Sequence, residues 1–289
     1  MNYLLHLLIL FELYVMLAMS LNLMVGYTGL VSLAHAAFYG IGAYLTTLMM
    51  VDLGLGFFPS LVTAACGALL LSLLISLASL RFRGDYFILS TLALQVIVFA
   101  VLYNWIGVTR GSYGITDIPR PSFVGIRLDS LASFAIFGLV ITSAVLGFLT
   151  VVFRSPFGRT LQAIRDDEIA ATSLGKHSLS FKARSVAIAS GCAAVAGGLY
   201  ATYVTFIDPS SFTTEESMLL LSMLVIGGTG NIRGPVVGAI LLIVLPEMLR
   251  FLSVPDAVAA NLRLIIYGLL VVVIMRYRPQ GIAGRYGFE

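Results

Sequence analysis

Charge is scarce in this sequence. Asp, Glu, Lys and Arg supply 11% of its 289 residues, against about 25% in an ordinary soluble domain. Cysteine is nearly missing: Cys66 and Cys192 stand far apart, each within an apolar stretch, and suggest neither a disulfide framework nor a thiolate metal site. Phosphate-binding loops are absent as well. Neither G-x-x-x-x-G-K-[ST] nor G-x-G-x-x-G occurs, and the Gly175-Lys176 pair is followed by His177 and preceded at the needed position by Ala170. No Ser-His-Asp set, H-E-x-x-H pair or couple of carboxylates offers catalysis. The net charge of +3 is not a nucleic-acid footprint, because the basic residues cap apolar runs instead of clustering on a solvated face.

What is present is hydrocarbon. Hydrophobic residues make up 59% of the chain, and the mean hydropathy is +1.01. A water-soluble fold of this length buries only about three quarters of its surface, so such a composition would leave aggregating apolar patches. The expected architecture is therefore an all-α polytopic bundle in a lipid bilayer, one domain over residues 1–289. A bilayer core of about 30 Å asks for about 20 apolar residues per helix. Spans are predicted at Tyr3 to Met24, Leu30 to Met50, Phe57 to Leu80, Tyr86 to Trp105, Leu131 to Phe153, Ser185 to Phe206, Ser217 to Thr229, Pro235 to Phe251 and Leu262 to Arg276. The first lacks a basic leader and is too long for a signal-peptide core, so it reads as a retained span.

Orientation follows from the basic residues, which favour cytoplasmic loops. Arg81, Arg83, Arg154, Arg159, Arg165, Lys176, Lys182, Arg184, Arg233, Arg276, Arg278 and Arg285 fall on one side, and only Arg110, Arg120, Arg127, Arg250 and Arg263 on the other. The acids Asp52, Asp117, Asp129, Asp208, Glu215, Glu216, Glu247 and Asp256 lie mainly opposite the larger basic group. This puts the C-terminus inside. Nine crossings put the N-terminus outside, whereas a broken or re-entrant Leu30–Met50 element makes the count even and moves it in.

Two segments lie outside the spans. Val108 to Ser130 is an external loop rich in Gly, Pro and polar residues, expected to fold over the outer mouth. Arg154 to Arg184 is the largest internal segment, and within it Gly158 to Leu174 has good helix formers and no breaker, which predicts a single cytoplasmic helix. On it Ala163, Ile164, Ala170, Ala171 and Leu174 share a small apolar face interrupted by Asp167, flanked by Arg159, Arg165, Asp166 and Glu168. Periodicity alone supports equally a helix docking into a partner's groove and one lying on the bilayer.

Glycines punctuate the membrane segments. Gly26, Gly29, Gly227, Gly228, Gly230 and Gly234 are expected to break helices and free backbone polar groups for a solute; close helix packing is the competing explanation for each. Both clusters contain G-x-T-G, too weak an echo to define a repeat. Ionisable groups within spans are few: Glu12, His35 and Glu247. A proton pump needs a longer relay, and a lone membrane histidine is more often an interhelical hydrogen bonder.

The run Leu21 to Tyr44, LNLMVGYTGLVSLAHAAFYGIGAY, resembles the N-terminal signature of the branched-chain amino acid ABC transporter permeases. So do Phe157-Gly158-Arg159 through Gly175, Gly197-Gly198-Leu199-Tyr200, Gly227-Gly228 to Gly234-Pro235 and Tyr277-Arg278-Pro279-Gln280-Gly281. The Arg-Asp-Asp-Glu run and the Arg-Pro-Gln-Gly tail bring it nearer the M-type than the H-type subunit. The resemblance implies a permease half that pairs with a sister permease, two cytosolic ATPases that carry ATP and Mg, and an external solute-binding protein, in an inner membrane. It implies no cofactor in this chain and no enzymatic activity. Arg159, Arg165, Asp166, Asp167, Glu168, Ala170 and Ala171 become the expected ATPase-coupling residues, and Asn22, Thr28, Ser32, His35 and Gln95 the expected path-lining groups. Urea or short amides are alternative solutes within the superfamily, and an ion-coupled secondary transporter is the rival outside it.

Overall fold

In a computed structural model of the chain the described residues are 2–79, 82, 84–123, 126–128, 130–251, 256–278 and 280–284. Leu80, Arg81, Arg83, Asp129, Pro279 and Arg285, invoked above, lie outside them, as do the side chains of Arg127, Arg250, Asp256 and Arg263. The chain forms α1 (Asn2–Thr28), α2 (His35–Val51), α3 (Phe57–Ser79), α4 (Asp85–Asn104), the one-turn α5 (Ile106–Thr109), α6 (Leu131–Arg154), α7 (Pro156–Asp166), α8 (Glu168–Ser173), α9 (Ser178–Val204), α10 (Thr214–Gly227), α11 (Arg233–Phe251) and α12 (Asp256–Tyr277). Helices α1, α3, α4, α6 and α9 are long and apolar enough to cross a membrane. The outer loop departs from the all-α expectation by a short antiparallel ribbon, Ser122–Phe123 against Ile126–Arg127.

The helix ends define two faces. At one, which carries α7 and α8, α1 ends at Thr28 and the segment 278–284 folds back, Ile282 and Ala283 donating to the carbonyls of Ile226 (3.0 Å) and Gly227 (2.9 Å). At the other, His6 bonds Tyr203, so the start of α1 meets the end of α9; Asp52 after α2 reaches Arg110 after α4 at 4.0 Å. The polar outer loop docks here. Ile115 and Ile207 exchange backbone hydrogen bonds of 2.8 and 3.1 Å, burying both side chains. The start of α1 and the C-terminal segment thus lie at opposite faces.

Two helices start late. The predicted Leu30–Met50 span begins only at His35, because Gly29 adopts φ +71° and the chain climbs without helix from residue 29 to 34. Its first turn lies beside Ser20, about 12 Å along α1 from Thr28 at 1.5 Å per residue. Likewise α10 begins at Thr214, and Glu216 in its first turn lines the same cavity as Tyr14 in the middle of α1. The two starts meet, Ala36 N–H donating to Ser217 Oγ at 2.9 Å. The plan α1–α2–α3–α4 recurs as α9–α10–α11–α12 with every direction reversed. Helix α6, running from the face of the Ile115–Ile207 bridge to the face of α7 and α8, inverts the second half, as in inverted-topology transport folds.

Close backbone approach holds the centre together. A Cβ at Gly42 of α2 would lie 2.2 Å from Ala194 Cα of α9, and one at Gly197 would lie 2.1 Å from the Tyr39 carbonyl oxygen. In lipid, where apolar side chains gain nothing by leaving solvent, such small-residue contacts supply the dispersion that larger residues would block.

Candidate functional site

The expected single helix from Gly158 to Leu174 is an elbow. Ser155 caps α7 by accepting from Gly158 N–H (3.3 Å), and Pro156 follows at the first turn. Asp167 then leaves the helix with φ −153° and ψ 102°, and its carboxylate accepts the N–H groups of Ile169 and Ala170, both at 2.9 Å, to start α8. A carboxylate one carbon from the backbone competes for these donors in a way that helix propensity does not register. The shared apolar face is consequently split. Leu161, Ile164 and Ala171 turn into the bundle, while Ile169 and Leu174 project outward, each 81% exposed.

The charges of the elbow are mostly anchors. Arg165 donates to the carbonyls of Val25 (3.2 Å) and Gly26, at the end of α1, where helix geometry leaves oxygens unpartnered. Glu168 accepts from Ser178 Oγ (2.5 Å) and pairs with Lys182 (2.9 Å), tying α8 to the start of α9. Arg159 bonds the Arg154 carbonyl (3.0 Å), and Arg159, Asp166 and Ala170 remain exposed. The elbow is therefore fixed to α1 and α9, which lead into the two late-starting helices. A cleft of about 980 Å³ opens on this face between the elbow, the starts of α4 and α9, and residues 28–31.

Beside the elbow the glycine clusters meet. Asn22 bridges them, its Oδ1 accepting from Gly230 N–H (3.0 Å) and its Nδ2 donating to the Asn231 carbonyl (2.9 Å). Only some of the six glycines break helices. Gly29, Gly228 and Gly230 adopt positive φ, and Gly227 ends α10, but Gly26 lies within α1 and Gly234 within α11. These last two serve contact: a Cβ at Gly26 would lie 2.6 Å from Gly230 N and one at Gly234 1.9 Å from the Gly228 carbonyl oxygen. The G-x-T-G echo joins ends that touch and does not follow the inverted plan.

All five expected path residues are buried, and all but His35, which meets the Ser20 side chain, hold backbone groups. Gln95 Oε1 accepts Ala37 N–H (2.7 Å) while its Nε2 donates to the Phe212 carbonyl (2.8 Å), joining both late starts to α4. His35 Nε2 pairs with Ser20 Oγ (2.8 Å), Ser32 Oγ accepts Ala34 N–H (3.2 Å), and the Thr28 hydroxyl donates to the Met24 carbonyl. Thr28 ends α1 and His35 starts α2, with non-helical residues 29–34 between them. Glu12 is buried against Gly138 of α6, with neither carboxylate oxygen hydrogen-bonded among the described residues.

Near the Gln95 junction lies a cavity of about 270 Å³ lined by Tyr14, Tyr39, Tyr200, Ser210, Ser211, Thr213, Glu215 and Glu216. The sequence reading singles out none of the tyrosines. They come from α1, α2 and α9, and no spacing within one helix marks them as neighbours.

Over residues 3–275 the chain matches the family described as branched-chain amino acid transport system permease component. It belongs to that family. It is 34% identical to the high-affinity branched-chain amino acid transport system permease protein LivM of Escherichia coli K12, over 93% of this chain and 67% of that one. Identity to the probable LivM of Methanocaldococcus jannaschii is 24%, over 94% and 90% of the two chains. To the LivH permease of Escherichia coli K12 it is 27%, over 94% and 91%. No solved structure matches. Family membership and the M-type likeness thus agree with the motif reading, and the permease motifs are now neighbours in space: the Leu21–Tyr44 run, the Gly227–Pro235 loop and the tail at Gln280 and Gly281 all meet at the end of α1.

Proposed function

We propose that this multi-pass ABC permease subunit pairs with a sister permease and two cytosolic ATPases that hold ATP and Mg. Together with an external solute-binding protein it imports branched-chain or related hydrophobic amino acids across the inner membrane. The face carrying α7, α8 and the C-terminal segment is cytoplasmic, and nine helices, counting late-starting α2 and α10, cross or enter the bilayer. The observation that carries the reading is the elbow: a short amphipathic projection whose charged side chains tie it to α1 and α9. Ile169, Ala170 and Leu174 offer a small apolar knob to an ATPase groove. ATPase closure displaces the knob, and Arg165 and the Glu168–Lys182 pair pass the motion to α1 and α9, and through them to α2 and α10. The binding protein rests on the outer loops Val108–Ser130 and Asp208–Glu216. This chain supplies movement and a path, with no catalytic centre of its own.

The reading is tested by assembling this chain with those partners in proteoliposomes and following labelled L-leucine. Uptake that requires both ATP and the binding protein is the expected result. Concentration of leucine by the purified chain alone, driven by an ion gradient, would favour the secondary-transporter rival.

A further inference from the structure

The outer cavity has the chemistry of a solute site. Its volume, about 270 Å³, falls just below the range for drug-sized ligands and suits one small molecule. Three tyrosines, from α1, α2 and α9, form part of its wall, and Ser, Thr and Glu side chains form the rest. Tyr39 is 4% exposed, lines the space, and makes no hydrogen bond through its hydroxyl among the described residues. Tyr200 reaches Ser211 Oγ at 3.4 Å, and Ser211 in turn donates to Asp208 at 2.8 Å.

Charge is arranged in both signs. Glu216 lies at the cavity beside Tyr14, and among the described residues no cation pairs with Glu215 or Glu216. The floor is the start of α10, where Thr213 provides no side-chain cap. The unsatisfied N–H groups of a first turn carry partial positive charge. The start of α2 points toward the same region, since Ala36 N–H reaches Ser217 in the first turn of α10. A carboxylate acceptor and helix-end donors at one cavity, with aromatic rings beside them, match a molecule bearing an ammonium, a carboxylate and an aliphatic side chain.

We propose that this cavity transiently binds a neutral aliphatic amino acid as its zwitterion, with the ammonium on Glu216, the carboxylate on the first-turn N–H groups of α10, and the side chain against Tyr39 and Tyr200. The inference rests on the importer reading above and locates, within this chain, a station between the binding protein and the Gln95 junction. Release inward requires the late-starting helices to separate, which breaks the Ala36–Ser217 and Gln95–Phe212 contacts.

The experiment uses the assembled importer in proteoliposomes, with a diazirine analogue of L-leucine as photoprobe and mass spectrometry of this chain's peptides. Labelling of the segments around Tyr39 and residues 200–216, displaced by L-leucine, is expected. Isoamylamine, which lacks the carboxylate, and isocaproate, which lacks the ammonium, should compete at least tenfold less well. Glu216→Gln should lower labelling tenfold or more and Glu216→Asp should recover part of it, with copurification of the partner subunits reporting correct folding. Labelling that ignores Glu216→Gln, or that falls elsewhere while ATP-driven uptake persists, overturns the site and leaves the importer reading intact. Absence of ATP-driven uptake by the unsubstituted complex overturns both.

Discussion

Arg165 offers the sharpest test of the elbow as a mechanical link. Its guanidinium donates to the Val25 and Gly26 carbonyls at the end of α1, and its Cγ would lie 3.3 Å from a Cβ placed on Gly29. Arg165→Met keeps the packing stem and removes the charged donors. Hydrogen bonds to charged groups contribute about 1.5–3 kcal/mol each, and the half-buried setting screens part of this, so a loss of about 2–4 kcal/mol is expected for the seated elbow. At about 1.4 kcal/mol per factor of ten, that shifts the seated-to-detached equilibrium by roughly 30- to 700-fold. The assay is leucine imported per ATP hydrolysed by the reconstituted complex. Hydrolysis should continue while the ratio collapses, because the ATPases still close but no longer carry α1 with them. Arg165→Lys, which retains a charge but loses the planar fork, should fall between. A ratio for Arg165→Met equal to that of the unsubstituted complex would refute the link.

Other outcomes follow from the same geometry. Asp167→Ala removes the cap of a six-residue helix, costing about 1 kcal/mol, and should weaken copurification with the ATPases; Asp167→Asn, which still caps, should restore it. If Asn fails as Ala does, charge and not capping is what matters. Gly238→Ala would push a methyl to 1.8 Å from the Met223 carbonyl oxygen and should destabilise the α10–α11 pair by about 1–3 kcal/mol or more. Gly147→Ala, with nothing within 4 Å, should leave the thermal midpoint in detergent unchanged or higher. Gln95→Leu strands the Phe212 carbonyl, worth about 1–3 kcal/mol when buried without a partner, and leaves Ala37 N–H only the Ala34 carbonyl at 3.1 Å. Hydrogen exchange at residues 35–39 and 212–217 should accelerate together, and acceleration at only one segment would contradict the joint.

Much of the architecture is written in composition and periodicity. An 11% charged chain must place its helices in lipid, because nothing else accepts so much hydrocarbon. Runs such as Leu131–Phe153 announce their span by length alone, since in a bilayer each helix satisfies its own backbone. The helix of the elbow was legible as amphipathic. The motifs that carry the family likeness were also readable, because glycine is required wherever backbones touch or φ turns positive, as at Gly29, Gly228 and Gly230.

Tertiary structure decided what depended on distant partners, and the folded backbone one local feature that propensity averages away. Asp167 ends one helix and begins another because its carboxylate finds two N–H groups, a local competition invisible to average propensity. Arg165, Glu168 and Gln95 read as outward charges or path polarity, yet each is committed to backbone or to a charge on another helix. The late starts of α2 and α10 follow from Gly29 and from residues 205–213 returning into the bundle. Hydropathy counts residues 29–34 as apolar whether or not they are helical. The cavity of Tyr14, Tyr39, Tyr200 and Glu216 exists only because inverted halves bring four helices together. Sequence periodicity describes which way a side chain faces along its own helix; it holds no information about which other helix will be standing opposite.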